Sequence, residues 1–172
     1  MRICTRALGA IVIAIWPGLV MAQPLEVAYR FTYSAAGDAS ASIEIAWTDP
    51  LAHPRALVMP RAIPMGYGEQ RYDAFVTDLQ AFTNAGRAAS PVREEGPRWR
   101  LEAGTTRVTY RVDLQRMERD VRAASDASRI RDGYLGALGY SVFAFVDGHE
   151  TRPARLRVEG PAGWPVFATL GP

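Results

Sequence analysis

An apolar residue at every second position constrains this chain more than any other feature. In "LEVAYRFT", Leu25, Val27, Tyr29 and Phe31 alternate with polar or small residues. "ASIEIAWT" repeats the pattern through Ile43, Ile45 and Trp47, and "TRVTYRVDL" through Val108, Tyr110 and Val112. A period of two is what a strand with one buried face produces. Turn chemistry separates these runs: "SAAGDAS", then "DPLAHP", whose Asp-Pro and His-Pro steps disfavour helix at the preceding residue. "RALVMP", "FVTDLQAF" (which also admits a helix), "PRWRLEA", "YSVFAFVD", "ARLRVEG" and "WPVFATL" read as further strands. "EAGTT" reads as the hairpin turn before "TRVTYRVDL". "YSVFAFVD" is apolar on both faces, as a central buried strand would be. The one helix signal is "LQRMERDVRAASDASRIRDG", with Met117, Val121 and Ala124 on one face, an Arg116–Asp120 pair at i,i+4 and a break near Asp126 and Ser128. The expectation is a mainly β, sandwich-like domain of about eight to ten short strands with one short helix.

The N-terminus follows different rules. Arg2 and Arg6 precede the apolar run "ALGAIVIAIWPGLV", and Val20-Met21-Ala22 offers a small-residue cleavage site before Gln23. This is the pattern of a secretory signal peptide over residues 1–22, leaving a domain over 23–172. A membrane anchor needs ~20 continuous apolar residues, and Pro17 and Gly18 interrupt this run. A periplasmic or secreted location follows, with no stable membrane insertion after cleavage. Removing Arg2 and Arg6 from the 20 basic residues leaves 18, which cancel the 18 acidic ones. No basic footprint for nucleic acid stands out. Cys4, the only cysteine, leaves with the same segment, so the mature chain can form no internal disulfide.

Few residues carry obvious chemistry. "HETRP" begins like the zinc signature H-E-x-x-H, but Pro153 stands where the second histidine should be, so His149 reads as an exposed turn residue. His53 reads as an exposed loop residue without acidic or histidine neighbours at ligand spacing. No serine lies in a G-x-S-x-G elbow, and no glycine run opens a helix to cradle phosphate. "DASRIRD" interleaves Arg129 and Arg131 with its carboxylates and lacks the EF-hand glycine, so it reads as a salt-bridged loop. No catalytic residue, metal ligand or cofactor is assigned.

One stretch is too elaborate for a connector. "MPRAIPMGYGEQRYDAFV", residues 59–76, packs prolines, glycines and tyrosines together with the charges Arg61, Glu69, Arg71 and Asp73. Prolines stiffen such a loop, and glycines permit backbone geometry that other residues resist. Tyr67 and Tyr72 fit either core packing or recognition. Pro64, Gly66, Tyr67, Glu69, Arg71 and Tyr72 are the candidate docking or substrate-facing residues.

That stretch, with "PRWRL", "YRVDLQRMERD", "ASDASRIRDGYLGALGYSVFAFVDG" and "GWPVFATL", resembles the N-terminal domain of glycyl-aminopeptidase-type metallopeptidases. Pro60, Pro64, Gly66, Tyr67 and Phe75 stand in the family's Leu-Pro-aromatic-Pro-Gly-x-Tyr segment and its downstream aromatic. Met65 intrudes between proline and glycine, and Ala62 or Ile63 replaces a common tryptophan. The resemblance spans essentially the whole mature chain. It implies a β domain that accompanies a thermolysin-like zinc domain bearing H-E-x-x-H, a domain this sequence lacks. It implies a non-catalytic supporting role, truncated or stand-alone, with the 60–75 loop facing a peptidase catalytic domain. The alternative is an exported binding module holding a peptide or partner protein through the same loop. Mass spectrometry of the protein from its native host is expected to find Gln23 as the first residue. An intact Met1 terminus in the membrane fraction would contradict the leader assignment.

Overall fold

The three alternating runs become the three long strands at the centre of the fold. The computed structural model describes residues 26–34, 38–62 and 68–169. Residues 1–25, which include the expected leader, lie outside that description. In chain order the strands are β1 (Val27–Tyr33), β2 (Ser40–Trp47), β3 (Arg55–Val58), β4 (Val76–Thr83), β5 (Ala88–Ala89) and β6 (Val92–Arg93). They continue with β7 (Arg98–Leu101), β8 (Thr105–Asp113), β9 (Arg129–Arg131), β10 (Tyr134–Gly136), β11 (Phe145–Val146) and β12 (Ala154–Glu159). Helices α1 (Leu114–Asp120) and α2 (Gly139–Val142) interrupt the second half. Among the described residues no helix is long and apolar enough to cross a membrane.

A six-stranded sheet runs β12-β1-β2-β8-β4-β5, a four-stranded sheet runs β11-β3-β7-β6, and β9 pairs with β10 alone. The fold is therefore mainly β, as the alternation requires. Strand β2 pairs antiparallel on both sides, placing Ile45 opposite Tyr29 of β1 and Val108 of β8. Its inward side chains Ala41, Ile43, Ile45 and Trp47 are buried, while Ser42 and Glu44 face away. The smaller sheet adds Leu57, Trp99 and Leu101 to the same core. Between β2 and β3, Leu51 exchanges backbone hydrogen bonds with the β7–β8 turn, where Gly104 takes a φ of 83°. There the Trp47 indole donates to the Thr105 carbonyl at 3.0 Å, so the ring's one polar atom is satisfied while its body is buried.

Two expectations change. "YSVFAFVD" is not a central strand: Gly139–Val142 turns as α2, and only Phe145–Val146 pairs, with β3. The Ser141 hydroxyl bonds back to the Leu138 carbonyl, which favours the turn over an extended ladder. The Ala144 amide is taken by the Tyr110 hydroxyl, not by a neighbouring strand. Val142, Ala144 and Val146 are buried and Phe143 is half-buried, its ring edge-on to Tyr29 and Phe31. The double-faced apolarity thus reflects a chain threading the core. The described part of "WPVFATL", residues 164–169, forms no strand either. Pro165 has no N–H to give a ladder, Trp164 leans on Tyr33 with ring centroids 6.0 Å apart, and Phe167 is 91% exposed.

The helix is shorter than its sequence signal. Asp113 caps α1, its carboxylate accepting from the Arg116 amide at 2.9 Å. Met117 and Val121 are buried, and Arg116 meets Asp120 at 3.4 Å. Beyond it, Glu118 accepts from the Ile130 amide and the Arg131 guanidinium, drawing "SRIRD" into β9.

The Tyr110 hydroxyl ties the threaded segment to the central sheet. Fully buried, it donates to the Val142 carbonyl and accepts from the Ala144 amide, both at 2.8 Å. Tyr110→Phe strands two buried backbone groups, so equilibrium urea unfolding is expected to show a loss of roughly 2–4 kcal/mol. A loss below about 0.5 kcal/mol, the lower end for one hydrogen bond, would mean the segment finds other partners.

Candidate functional site

The 59–76 stretch is anchored at both ends, and one carboxylate carries much of that anchoring. Met59 is buried and its amide donates to the Pro97 carbonyl at 2.9 Å. The chain then leaves the sheet. An antiparallel bridge between Ala62 and Glu69, with the Gln70 amide donating to the Arg61 carbonyl, closes the stem. The returning arm winds through a 3₁₀ turn at Tyr72–Phe75 before entering β4.

Asp73 sits inside this stem with its side chain 1% exposed. Arg61 grips it bidentately, Nε to Oδ1 at 2.9 Å and Nη2 to Oδ2 at 3.1 Å. Arg93 of β6 binds the same Oδ2. Its guanidinium also lies 4.4 Å from the centroid of Trp99, a cation–π contact that fixes its position. Burial pushes the Asp73 carboxyl up, but the hydrogen bonds from Arg61 and Arg93, with their charges, outweigh it and hold the group below its usual range. On the far side, the Tyr72 hydroxyl donates to the Asp126 carbonyl at 2.6 Å, and its ring stands edge-on to Tyr140 at 5.7 Å. Arg116 donates to the Ala74 carbonyl and lies over the Phe75 ring.

The candidate residues are therefore not equivalent. Pro64, Gly66 and Tyr67 lie outside the described residues. Glu69 and Arg71 are exposed. Tyr72 is a correction: it is completely buried, with its hydroxyl satisfied, and cannot face a partner. The charges of the stretch also separate into two kinds, since Arg61 and Asp73 are paired inside the stem. Arg93 escapes a sequence reading because 20 positions separate it from Asp73. Asp73 itself is legible in the sequence only as one more charge, although an acidic residue flanked by Tyr72 and Phe75 on an apolar turn is a cue to burial.

His149 is a second correction. It is half-buried, with its ring edge-on to Trp47 at 6.0 Å. His53 is exposed in its loop. Among the described residues no three His, Cys, Asp or Glu side chains come together in a way that could hold a metal ion.

This architecture has relatives. The crystal structure of an aminopeptidase N family protein from Idiomarina loihiensis superposes with a TM-score of 0.64 at 21% identity, over 79% of this chain and 22% of that one. This chain thus corresponds to about a fifth of that protein's length, and the likeness is one of fold. No curated protein matches the chain. Residues 28–172 match the family model for the peptidase M61 N-terminal domain, so the chain belongs to that family.

Removing the stem's anion should show in stability and its pH dependence. Asp73→Asn is expected to cost about 3 kcal/mol at neutral pH, the low end for breaking a buried pair, because Arg61 and Arg93 can return to water. The native Asp73 carboxyl titrates below its unfolded value, so its stabilisation is complete above the unfolded pKa of ~3.9 and is lost as pH falls through the lower folded value. The gap between wild type and Asp73→Asn in chemical denaturation should close along that descent. A gap independent of pH would show that shape, not charge, matters there.

Proposed function

We propose that this chain is an exported, non-catalytic N-terminal β domain that supports a zinc peptidase domain and docks to it through the 60–75 loop. The observation that carries the reading is the contrast within the loop. Its stem is tied by Asp73, Arg61, Arg93 and Tyr72, whereas Glu69 and Arg71, on the returning arm of the same stem, turn exposed side chains to solvent. A loop serving only to connect β3 and β4 has no need of a buried carboxylate shared by two arginines. A loop that must meet a partner in one orientation benefits from such a stem, since less order is lost on binding. Membership of the M61 N-terminal family supports a peptidase partner. The basic start and short apolar run of the N-terminus support export.

The test uses a separately expressed catalytic domain from a relative, with affinity measured by calorimetry. Glu69→Ala combined with Arg71→Ala should weaken binding at least about tenfold, the equivalent of ~1.4 kcal/mol. Unfolding stability should stay within about 0.5 kcal/mol of wild type, as surface substitutions usually leave it. Unchanged affinity in the double variant would place the docking surface elsewhere. Binding of free peptides through these residues, with no affinity for the catalytic domain, would favour the alternative of an exported binding module.

A further inference from the structure

The two larger sheets have four outer edges, and three of them are blunt. Strands β5, β6 and β11 hold only two residues each. Very short edge strands are one way native sheets avoid pairing with other chains. The fourth edge is β12, six residues long, which among the described residues pairs with β1 alone. Its register with β1 runs unbroken from Ala154 to Glu159, whereas β4 shifts register against β8. No proline or bulge interrupts it. No charge points inward from it either. Ala154, Leu156 and Val158 lie beside Val27, Tyr29 and Phe31 on the core face, so Arg155, Arg157 and Glu159 occupy the outer face.

The core-face row ends uncovered at this edge. Phe31 is buried, but Leu156 is half-buried and Val158 is 37% exposed. Two more of the exposed large apolar side chains, Val166 and Phe167, follow soon after it in the chain. On the outer face Arg157 meets Glu159 of its own strand at 2.7 Å, and Glu159 lies 3.9 Å from Arg30.

This order of residues is complementary to itself. Two copies of β12 that run antiparallel and keep core face against core face must be centred on a residue, since a half-step would set one core face against the other copy's outer face. Centring on residue 155, 156 or 157 places arginine opposite arginine, and centring on 159 places glutamate opposite glutamate. Like charges directly opposite are unfavourable. Centring on Val158 alone avoids this. Arg157 then stands opposite Glu159 of the second copy, and Glu159 opposite its Arg157, so four charges alternate around a square. On the other face Val158 meets its own counterpart, and the uncovered row gains a cover.

We propose that the open edge of β12 is a two-fold dimer interface whose occupant is a second copy of this chain, paired antiparallel about Val158. The pairing joins two six-stranded sheets. It is isologous and closed, because β5 at the opposite edge is too short to continue it. A single strand edge buries little surface, so the dimer is weak and forms with rising concentration. The inference is independent of the docking role of the 60–75 loop.

The test is sedimentation equilibrium of the chain from its native host, from about 1 μM to 1 mM, a range that brackets weak association. The mean mass should rise from one chain toward two, and amide exchange at residues 156–160 should slow over the same range. Arg157→Glu and Glu159→Arg each place like charges opposite one another twice, so each should weaken self-association at least about tenfold. An equimolar mixture of the two variants should restore it, because Glu then faces Arg at both positions; neither altered stability nor general screening predicts that recovery. The proposal is overturned if the wild-type chain stays monomeric at ~1 mM, which would leave the edge to a strand of another protein. It is equally overturned if the chain dimerises without protecting residues 156–160, or if the mixture associates no better than either variant alone.

Discussion

Strand β2 is held by neighbours on both sides, and its register decides where every other element can go. Its pairing with β1 and β8 turns Ile43, Ile45 and Trp47 to one face, alongside Phe31, Val108 and Tyr110. A slip of one residue would send that row to solvent and bring Ser42 and Glu44 into the core. On the outer face, Glu44 meets Arg107 at 2.9 Å and Arg30 at 3.7 Å, so the polar side favours the same register. Burial outweighs these ion pairs, since each of those apolar side chains is worth ~1.5–3 kcal/mol and exposed ion pairs ~1 kcal/mol or less. The threaded 139–146 segment and the stem of the 59–76 loop both pack against the core this face begins.

The stem shows a different kind of economy. Asp73 is costly to bury, and the structure offsets that cost with two guanidinium groups from distinct parts of the chain. Because Arg61 and Arg93 remain partly exposed, they keep some hydration while satisfying the carboxylate. The result is a fixed geometry for the stem, with Glu69 and Arg71 exposed beside the electrostatic knot. The knot fixes the direction in which the stem leaves the sheet, which suits the docking proposed for this loop.

Long periodic segments are legible in the sequence because period two has a single structural meaning. Strands β1, β2, β7 and β8 follow from it, while the Gly104 turn follows from turn chemistry and α1 from helical spacing. The resemblance carried by the 59–76 stretch and the downstream segments leads to the family that residues 28–172 match. What is not legible depends on partners distant in sequence. The apolar run at 140–147 is ambiguous because strand and core-threading coil bury the same residues, and the Tyr110 hydroxyl, 34 positions from Ala144, decides between them. Tyr72 cannot be assigned to core or surface until Asp126 is seen beneath its hydroxyl. His149 looks exposed because its turn is polar, while the indole it leans on comes from β2.

The parallel pairing of β1 with β12 has a consequence in time. Thr32 and Glu159, 127 positions apart, meet across that pairing at 3.4 Å. Synthesis runs from the N-terminus at about 5–20 residues per second, so roughly 6–25 s separate the appearance of the two strands. A hairpin of β1 and β2 can form within microseconds, but its outer edge stays bare for that whole interval. An unpaired edge invites pairing with other chains. The span of chain between the first and last strands therefore sets how long each nascent molecule stays vulnerable to aggregation, however stable the finished domain is.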